Sequence, residues 1–391
     1  MKLLHFGAGS IGRSFVGPLF LKAGYEVVFA DVDMNLVKEL TQRGGYDLVV
    51  CHPTEGLKPE RISGVRAVDA HSVDRLRQEA SDADIISTSV GAGALPAVMT
   101  SILRAIAGRQ RPVNLVFAEN APGVSDLTHA LMRDYPGGTL PPVGLIETSI
   151  GKMVPIVPDE IRATDPLQVR AEPYNTLICD RQGWFGGMPD ITGLHGVGNI
   201  AAYVHRKLFV HNLGHCAVAY LGFQADQDCS TIAEAVRKPD VRAGALDAMS
   251  CSVAALCVAY PKEFTREALQ QHVDDLLSRF ANPWLGDTVY RVGRDLPRKL
   301  GREERIIGAM RFCLEHGVDP TAIVRVAAGA LDFRATDETG QRFPADCALL
   351  ERTASEGVIP VLKNVAELND ADSTDRSVIG FFDAIPVSGT V

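Results

Sequence analysis

Lys2-Leu3-Leu4-His5-Phe6-Gly7-Ala8-Gly9-Ser10-Ile11-Gly12 opens the chain, and Glu26-Val27-Val28-Phe29-Ala30-Asp31 follows it closely. The first stretch is an apolar run that stops at a glycine and continues as G-x-G-x-x-G. A helical pattern through Phe15, Leu19, Phe20 and Ala23 ends at Gly24. The second stretch is β-branched and aromatic, and it ends in an acid. Together they read as one complete βαβ unit. Gly7 permits the tight turn out of the strand, Gly9 lets the backbone approach a pyrophosphate, and Gly12 lets the helix pack close to the sheet. With Ala8, Ser10 and Ile11 between them, these residues bring phosphates to the free N–H groups of a helix N-terminus. Asp31 lies 19 residues beyond Gly12, where a carboxylate accepts hydrogen bonds from ribose hydroxyls and repels a 2′-phosphate. The expected cofactor is therefore NAD rather than NADP. The competing reading, a glycine-rich turn that binds nothing, does not account for the acid at the end of the second strand.

The same alternation continues. Asp84–Val90, Val113–Ala118 and Val143–Glu147 read as buried strands, with helical spacing near 34–43, 94–108 and 124–135 between them. Alternating strands and helices predict a doubly wound, mostly parallel sheet. Ligands bind beyond the carboxyl ends of such strands, where Gly91, Asn120 and Thr148 fall. Leu167–Glu172 alternates like a further strand, and Trp184–Pro189 reads as a loop. After about 196 strand signals fade, and 197–222, 230–237, 241–259, 264–280, 302–316 and 319–333 carry helical spacing. The expectation is an α/β fold: a Rossmann-like domain over 1–195 and a mainly α-helical substrate and catalytic domain over 196–391.

Composition bounds the function. Of 391 residues, 46% are hydrophobic and 22% charged, as in an ordinary globular chain. The net charge of −9 argues against a nucleic-acid partner, which needs a concentrated positive field. Mean hydropathy is +0.05, and no uninterrupted apolar run approaches the roughly 18 residues of a membrane span. The start of the chain enters a strand directly, without a basic segment and cleavage site. We expect a soluble, cytoplasmic protein with no membrane partner, acting as a monomer or small homo-oligomer. The eight cysteines show no C-x-x-C spacing, and Cys51-His52 has no second pair to complete a zinc site. No metal is expected.

Candidate chemistry lies in Arg206-Lys207-Leu208-Phe209-Val210-His211-Asn212-Leu213-Gly214-His215. On an α-helix Lys207 stands about 80° and Asn212 about 60° from His215. An ammonium, an amide and an imidazole thus share one broad face. Metal-free oxidation of an alcohol needs a base for the hydroxyl proton and a donor to steady the oxygen. A desolvated lysine with a lowered pKa supplies the first, and an amide N–H the second. The plain alternative is a solvated helix face with a surface lysine and a satisfied histidine.

The sequence resembles the polyol-specific long-chain dehydrogenases, the mannitol dehydrogenase family. The resemblance rests on Leu4–Arg13, on K-x-x-x-x-N-x-x-H as Lys207, Asn212 and His215, and on Arg206–Phe209. Asn282-Pro283-Trp284-Leu285-Gly286-Asp287 and the run on to Leu300 extend it, as do Glu119-Asn120 and Thr88-Ser89-Val90-Gly91. It implies a zinc-independent NAD enzyme with Lys207 as general acid/base. Asn120 and Asn212 would hold the reacting oxygen, and His215 would assist substrate binding. Val90 and Gly91, with Asn120, would line the cofactor. Arg294, Arg298 and Lys299 are candidates for a substrate phosphate, because guanidinium forks suit phosphate oxygens. The substrate would be a polyol or polyol phosphate. Where the family carries an Asp-Arg pair, this chain has Gly151-Lys152, so one carboxylate near the substrate hydroxyls is missing. That departure keeps open an unphosphorylated polyol, a sugar acid or a specialised alcohol as substrate. A non-catalytic NAD-binding protein is the remaining alternative.

Overall fold

The structure, a computed structural model, describes residues 1–120 and 123–383. These form two compact units, Met1–Val204 and a second that begins at His205. The expected second domain runs on to 391, and 384–391 lie outside the described residues.

The main sheet of the first unit has eight strands. Five follow the sequence reading closely: β1 (Lys2–Phe6), β2 (Glu26–Asp31), β6 (Ile85–Thr88), β7 (Val113–Phe117) and β8 (Val143–Ile150). β5 (Val65–Asp69), β10 (Leu177–Asp180) and β11 (Leu194–Val197) complete the sheet in the order β11-β10-β8-β7-β6-β1-β2-β5. All pairings are parallel except β8 with β10. The strand order reverses between β1 and β6, which is where a doubly wound sheet opens a crevice for a ligand. β3 (Gly45–His52), β4 (Gly56–Ser63) and β9 (Val169–Ala171) form a second, three-stranded sheet, with β3 and β4 antiparallel.

Strand periodicity explains the core. Leu3, Val27, Phe29 and Ile85 turn to one face, against Phe15, Leu19 and Phe20. Leu4, Phe6, Val28, Ala30 and Ile86 turn to the other, against Met99, Ile102 and Leu103 of the helix Leu95–Ile106. Each large aliphatic or aromatic side chain buried this way contributes about 1.5–3 kcal/mol. Both faces are therefore dry, as a parallel sheet requires.

Beyond Val197 the described residues form helices, with one isolated bridge between Thr231 and Thr288. The helical run starts at Ile200, not at the expected boundary of 196. Its opening residues, up to Val204, still belong to the first unit, where Ser149 Oγ donates to the Tyr203 carbonyl (3.1 Å). Pro239–Ala259 is long and apolar enough, by length and composition, to cross a membrane. Half of that apolar window is buried inside the structure, packed on Leu213–Ala225 and Thr321–Leu331. Gly214 permits the close approach, since a Cβ there would stand 2.5 Å from Met249 Sδ.

Candidate active site

In the first unit the glycine loop is fixed from below. Gly7 has φ +95°, and a Cβ on it would meet the Ser89 carbonyl oxygen at 2.6 Å. A Cβ on Gly12 would stand 2.2 Å from the Gly7 oxygen and 2.7 Å from His5 Nε2. A Cβ on Gly9, by contrast, meets nothing within 4 Å. The loop is therefore closed toward the sheet and open on one side, as a backbone that must meet a pyrophosphate should be. After it the helix begins with a widened π turn, Gly12–Val16, in which Gly17 N–H bonds the Gly12 carbonyl five residues back.

Side chains hold this loop in place. Ala8 N–H donates to Asp31 Oδ2 (2.7 Å), and the Ala8 carbonyl accepts from Arg13 Nε (2.6 Å). Asp31 Oδ1 accepts from Asp33 N–H (2.9 Å). Each oxygen retains a lone pair, and the side chain is half-exposed, so it still suits a ribose. Buried His5 lies between Ser87 Oγ (2.6 Å) and Ser89 Oγ (2.8 Å). Burial lowers its pKa to about 3, so it is a neutral strut. The Val90 and Gly91 amides donate to the two oxygens of buried Glu119, each at 2.9 Å. What this loop leaves open is the exposed Gly91, beside a Val90 that is partly packed against the core. Asn120 is exposed at the carboxyl end of β7, and Ser10 is exposed on the glycine loop. These residues fit NAD: an open amide-lined loop, a tethered carboxylate and a helix start without acids in its first turn.

In the second unit, the helix carrying Lys207 is not uniformly α. Lys207–Asn212 is a π turn between Ile200–Arg206 and Leu213–Ala225, with Leu213 N–H bonding the Leu208 carbonyl. This corrects the α-helical geometry expected from spacing. Lys207 and Asn212 would be about 140° apart on an α-helix. The wider turn, with bonds from i to i+5, narrows the angle between residues five apart. Burial records the shared face: Lys207, Leu208, Asn212 and His215 are half-buried, whereas Phe209, Val210, His211, Leu213 and Gly214 are buried.

Burial, reinforced by the charges of Arg305 and Arg298 and opposed by Glu304, brings the Lys207 ammonium down to about 7. His215 stacks flat on Phe280, centroids 4.8 Å apart and planes 11° apart. Its Nε2 is 3.4 Å from Asp287 Oδ2, ion-pair distance without an aligned hydrogen bond. Asp287 is also gripped by Arg291. Burial works to raise the Asp287 pKa, but His215 and Arg291 outweigh it and hold it below the ordinary carboxylate value. Asp287 was visible in the sequence only as the end of the Asn282–Asp287 run.

The three basic candidates are differently placed. Arg294 lies over the rings of Tyr290 (5.5 Å) and Phe343 (5.7 Å). Arg298 bonds Asp295 (2.6 Å) and reaches Glu304 (3.4 Å). Lys299 is 3% exposed, and its ammonium donates to the Arg294 carbonyl. Burial, with Arg305 and Arg298, lowers it to about 8. Gly151 ends near Tyr174, whose ring a Cβ would meet at an ordinary 3.6–3.8 Å. Lys152 reaches Asn175 (3.3 Å) and lies over Phe15 (5.3 Å). Among the described residues no group of three His, Cys, Asp or Glu side chains is gathered as metal ligands.

Comparison with known proteins accords with this layout. Residues 1–193 match the mannitol dehydrogenase Rossmann domain, and 199–379 match the mannitol dehydrogenase C-terminal domain. A mannitol-1-phosphate 5-dehydrogenase of Bacillus licheniformis is 32% identical over 394 aligned residues, covering 98% of this chain and 100% of that protein. In fold the chain is similar to Pseudomonas fluorescens mannitol 2-dehydrogenase, solved as a ternary complex with NAD and D-mannitol (TM-score 0.73, 15% identity, 98% of this chain and 90% of that one). It is also similar to a D-sorbitol dehydrogenase in substrate-free form (TM-score 0.70, 15% identity, 99% and 93%). With both halves matched in order, and a relative at that identity along its whole length, the chain belongs to the mannitol dehydrogenase family.

Proposed function

We propose that this chain is an NAD-dependent dehydrogenase that interconverts a hexitol phosphate and a ketose phosphate, with Lys207 as general acid/base. One observation carries the chemistry: a π turn carries a half-buried lysine, with a pKa near 7, and ends on a half-buried amide five residues on. NAD, when bound, supplies the hydride acceptor. The Ala8–Gly9 backbone and the start of the helix at Gly12 would hold its pyrophosphate, Asp31 its ribose, and Val90, Gly91 and Asn120 its outer end. Neutral Lys207 takes the hydroxyl proton onto Nζ, and in the reverse direction returns it. Asn212 donates an amide N–H to the reacting oxygen, as the resemblance also implies for Asn120. His215, braced by Phe280 and Asp287, holds a neighbouring hydroxyl. Because the base is a side chain, no metal is needed for this step.

The phosphate is supported by the Bacillus licheniformis relative, whose name places oxidation at C5 and phosphate at C1. Gly151 favours a second reading in which the same residues act on an unphosphorylated polyol or a sugar acid. The deciding experiment measures NADH formation with mannitol 1-phosphate, other hexitol phosphates, free hexitols and hexonates. We expect kcat/KM for one hexitol phosphate to exceed that of every unphosphorylated compound. Preference for a free hexitol or a hexonate would establish the second reading. No turnover on any of them, with NAD binding demonstrated, would remove the dehydrogenase assignment.

A further inference from the structure

Arg305 lies in the turn segment between Lys299 and the helix Ile307–Glu315. Its side chain is only 12% exposed. Its Nε and its own backbone N–H both donate to Glu304 Oε2, at 3.0 and 3.2 Å. Glu304 in turn is reached through Oε1 by Arg298 (3.4 Å). One carboxylate therefore fixes the inner edge of the Arg305 guanidinium. The outer nitrogens, Nη1 and Nη2, have no partner among the described residues. Both reach solvent, so the fork is open to an incoming anion rather than sealed inside the fold.

The neighbouring cations are committed otherwise. Arg298 spends Nε on Asp295 and is exposed, Lys299 is tied to a backbone carbonyl, and Arg294 has its faces over two rings. Arg305 combines depth, a plane held by one carboxylate, and a free outer fork. It is also the cation with the strongest charge effect on Lys207, so it is within electrostatic reach of the base. A substrate oxidised at C5 carries a C1 phosphate four carbon–carbon bonds away, and needs an anion site near the base but separate from it.

Resting on the reading of this chain as a polyol-phosphate dehydrogenase, we propose that Arg305 binds the substrate phosphate through its outer fork. Glu304 acts as its positioning residue. A bidentate fork matches two phosphate oxygens, which a lysine does not.

The test is steady-state kinetics of the full-length enzyme with R305Q and R305K. R305Q should lower the kcat/KM ratio of mannitol 1-phosphate to mannitol by about 10–100-fold, with KM carrying the loss. R305K, which keeps the charge and loses the fork, should recover only part of it. Inorganic phosphate should inhibit the wild type competitively against mannitol, with a Ki raised about tenfold or more in R305Q. Equal losses on both substrates, or an unchanged ratio, would overturn the proposal. The wild-type ratio tests the parent reading separately. If the wild type prefers mannitol yet phosphate inhibition still depends on Arg305, the anion site stands and the substrate assignment fails. If the wild type prefers mannitol 1-phosphate and R305Q keeps that preference, the enzyme assignment stands and Arg305 is not its reader.

Discussion

Among the described residues two helices contain a π turn, and the two turns serve different ends. Gly12–Val16 is buried at every position and carries no exposed functional group. Its widening, with glycines at 7, 9 and 12, shapes a backbone so that amides face outward and the helix presses on the sheet. Lys207–Asn212 widens a helix whose backbone does nothing unusual outside it, and what changes is the direction of side chains. The first turn is read through which residues lack a Cβ. The second is read through which polar residues sit five apart. Local helix distortion is thus one device with two uses, and the sequence signature of each is different.

The largest effect should come from the second turn. K207A should lower kcat for polyol oxidation by about 10²–10⁴-fold, the range of a positioned general base, while NAD affinity, followed by fluorescence titration, stays put. Retained activity would reduce the second turn to a structural feature like the first. Next, N212A removes the amide from the second turn and leaves the lysine in place. We expect kcat to fall by about 10²–10³-fold, as loss of one donor to a reacting oxygen costs, with a far-UV circular dichroism spectrum that retains its helical signal. Activity near wild type in N212A would show that the amide five residues beyond Lys207 is dispensable.

The first turn breaks differently. G12A places a methyl 2.2 Å from the Gly7 oxygen. It should destabilise the protein by about 1–3 kcal/mol, as overpacking does, and weaken NAD binding. Thermal melts with and without NAD check this. The smallest effect is pH. Lys207 must be neutral to accept a proton, so kcat/KM for oxidation should rise about tenfold per unit below pH 7 and level off above it. Reduction needs the ammonium and should fall as pH passes 7. A profile governed by a group near 10 would mean that Lys207 is not desolvated in solution.

Much of the first unit was legible because periodicity and glycine spacing act locally. β1, β2, β6, β7 and β8 follow from runs such as Glu26–Asp31. β4 was hidden: Leu57, Lys58, Pro59, Glu60 and Arg61 are not buried, and Pro59 sits within the strand. Such an edge strand has neither an apolar run nor clean alternation. Lys207, Asn212 and His215 stood out by residue type and by a common helix face, but the π turn that carries them did not, because the arithmetic of 3.6 residues per turn does not hold across it. Asp287 and Arg305 were invisible as individuals. Arg302-Glu303-Glu304-Arg305 is a run of charges in which the fold alone distinguishes Arg305, by covering most of its side chain.

The double bond of Asp31 has an outcome for anyone redesigning the coenzyme preference. The carboxylate expected to exclude a 2′-phosphate also clasps the Ala8 amide at 2.7 Å. Swapping it for a small neutral residue would relax discrimination and unfasten the phosphate loop together. An efficient NADP variant therefore requires a replacement tether for Ala8, and single-site exchange at position 31 should yield an enzyme that is less selective and weaker with both coenzymes.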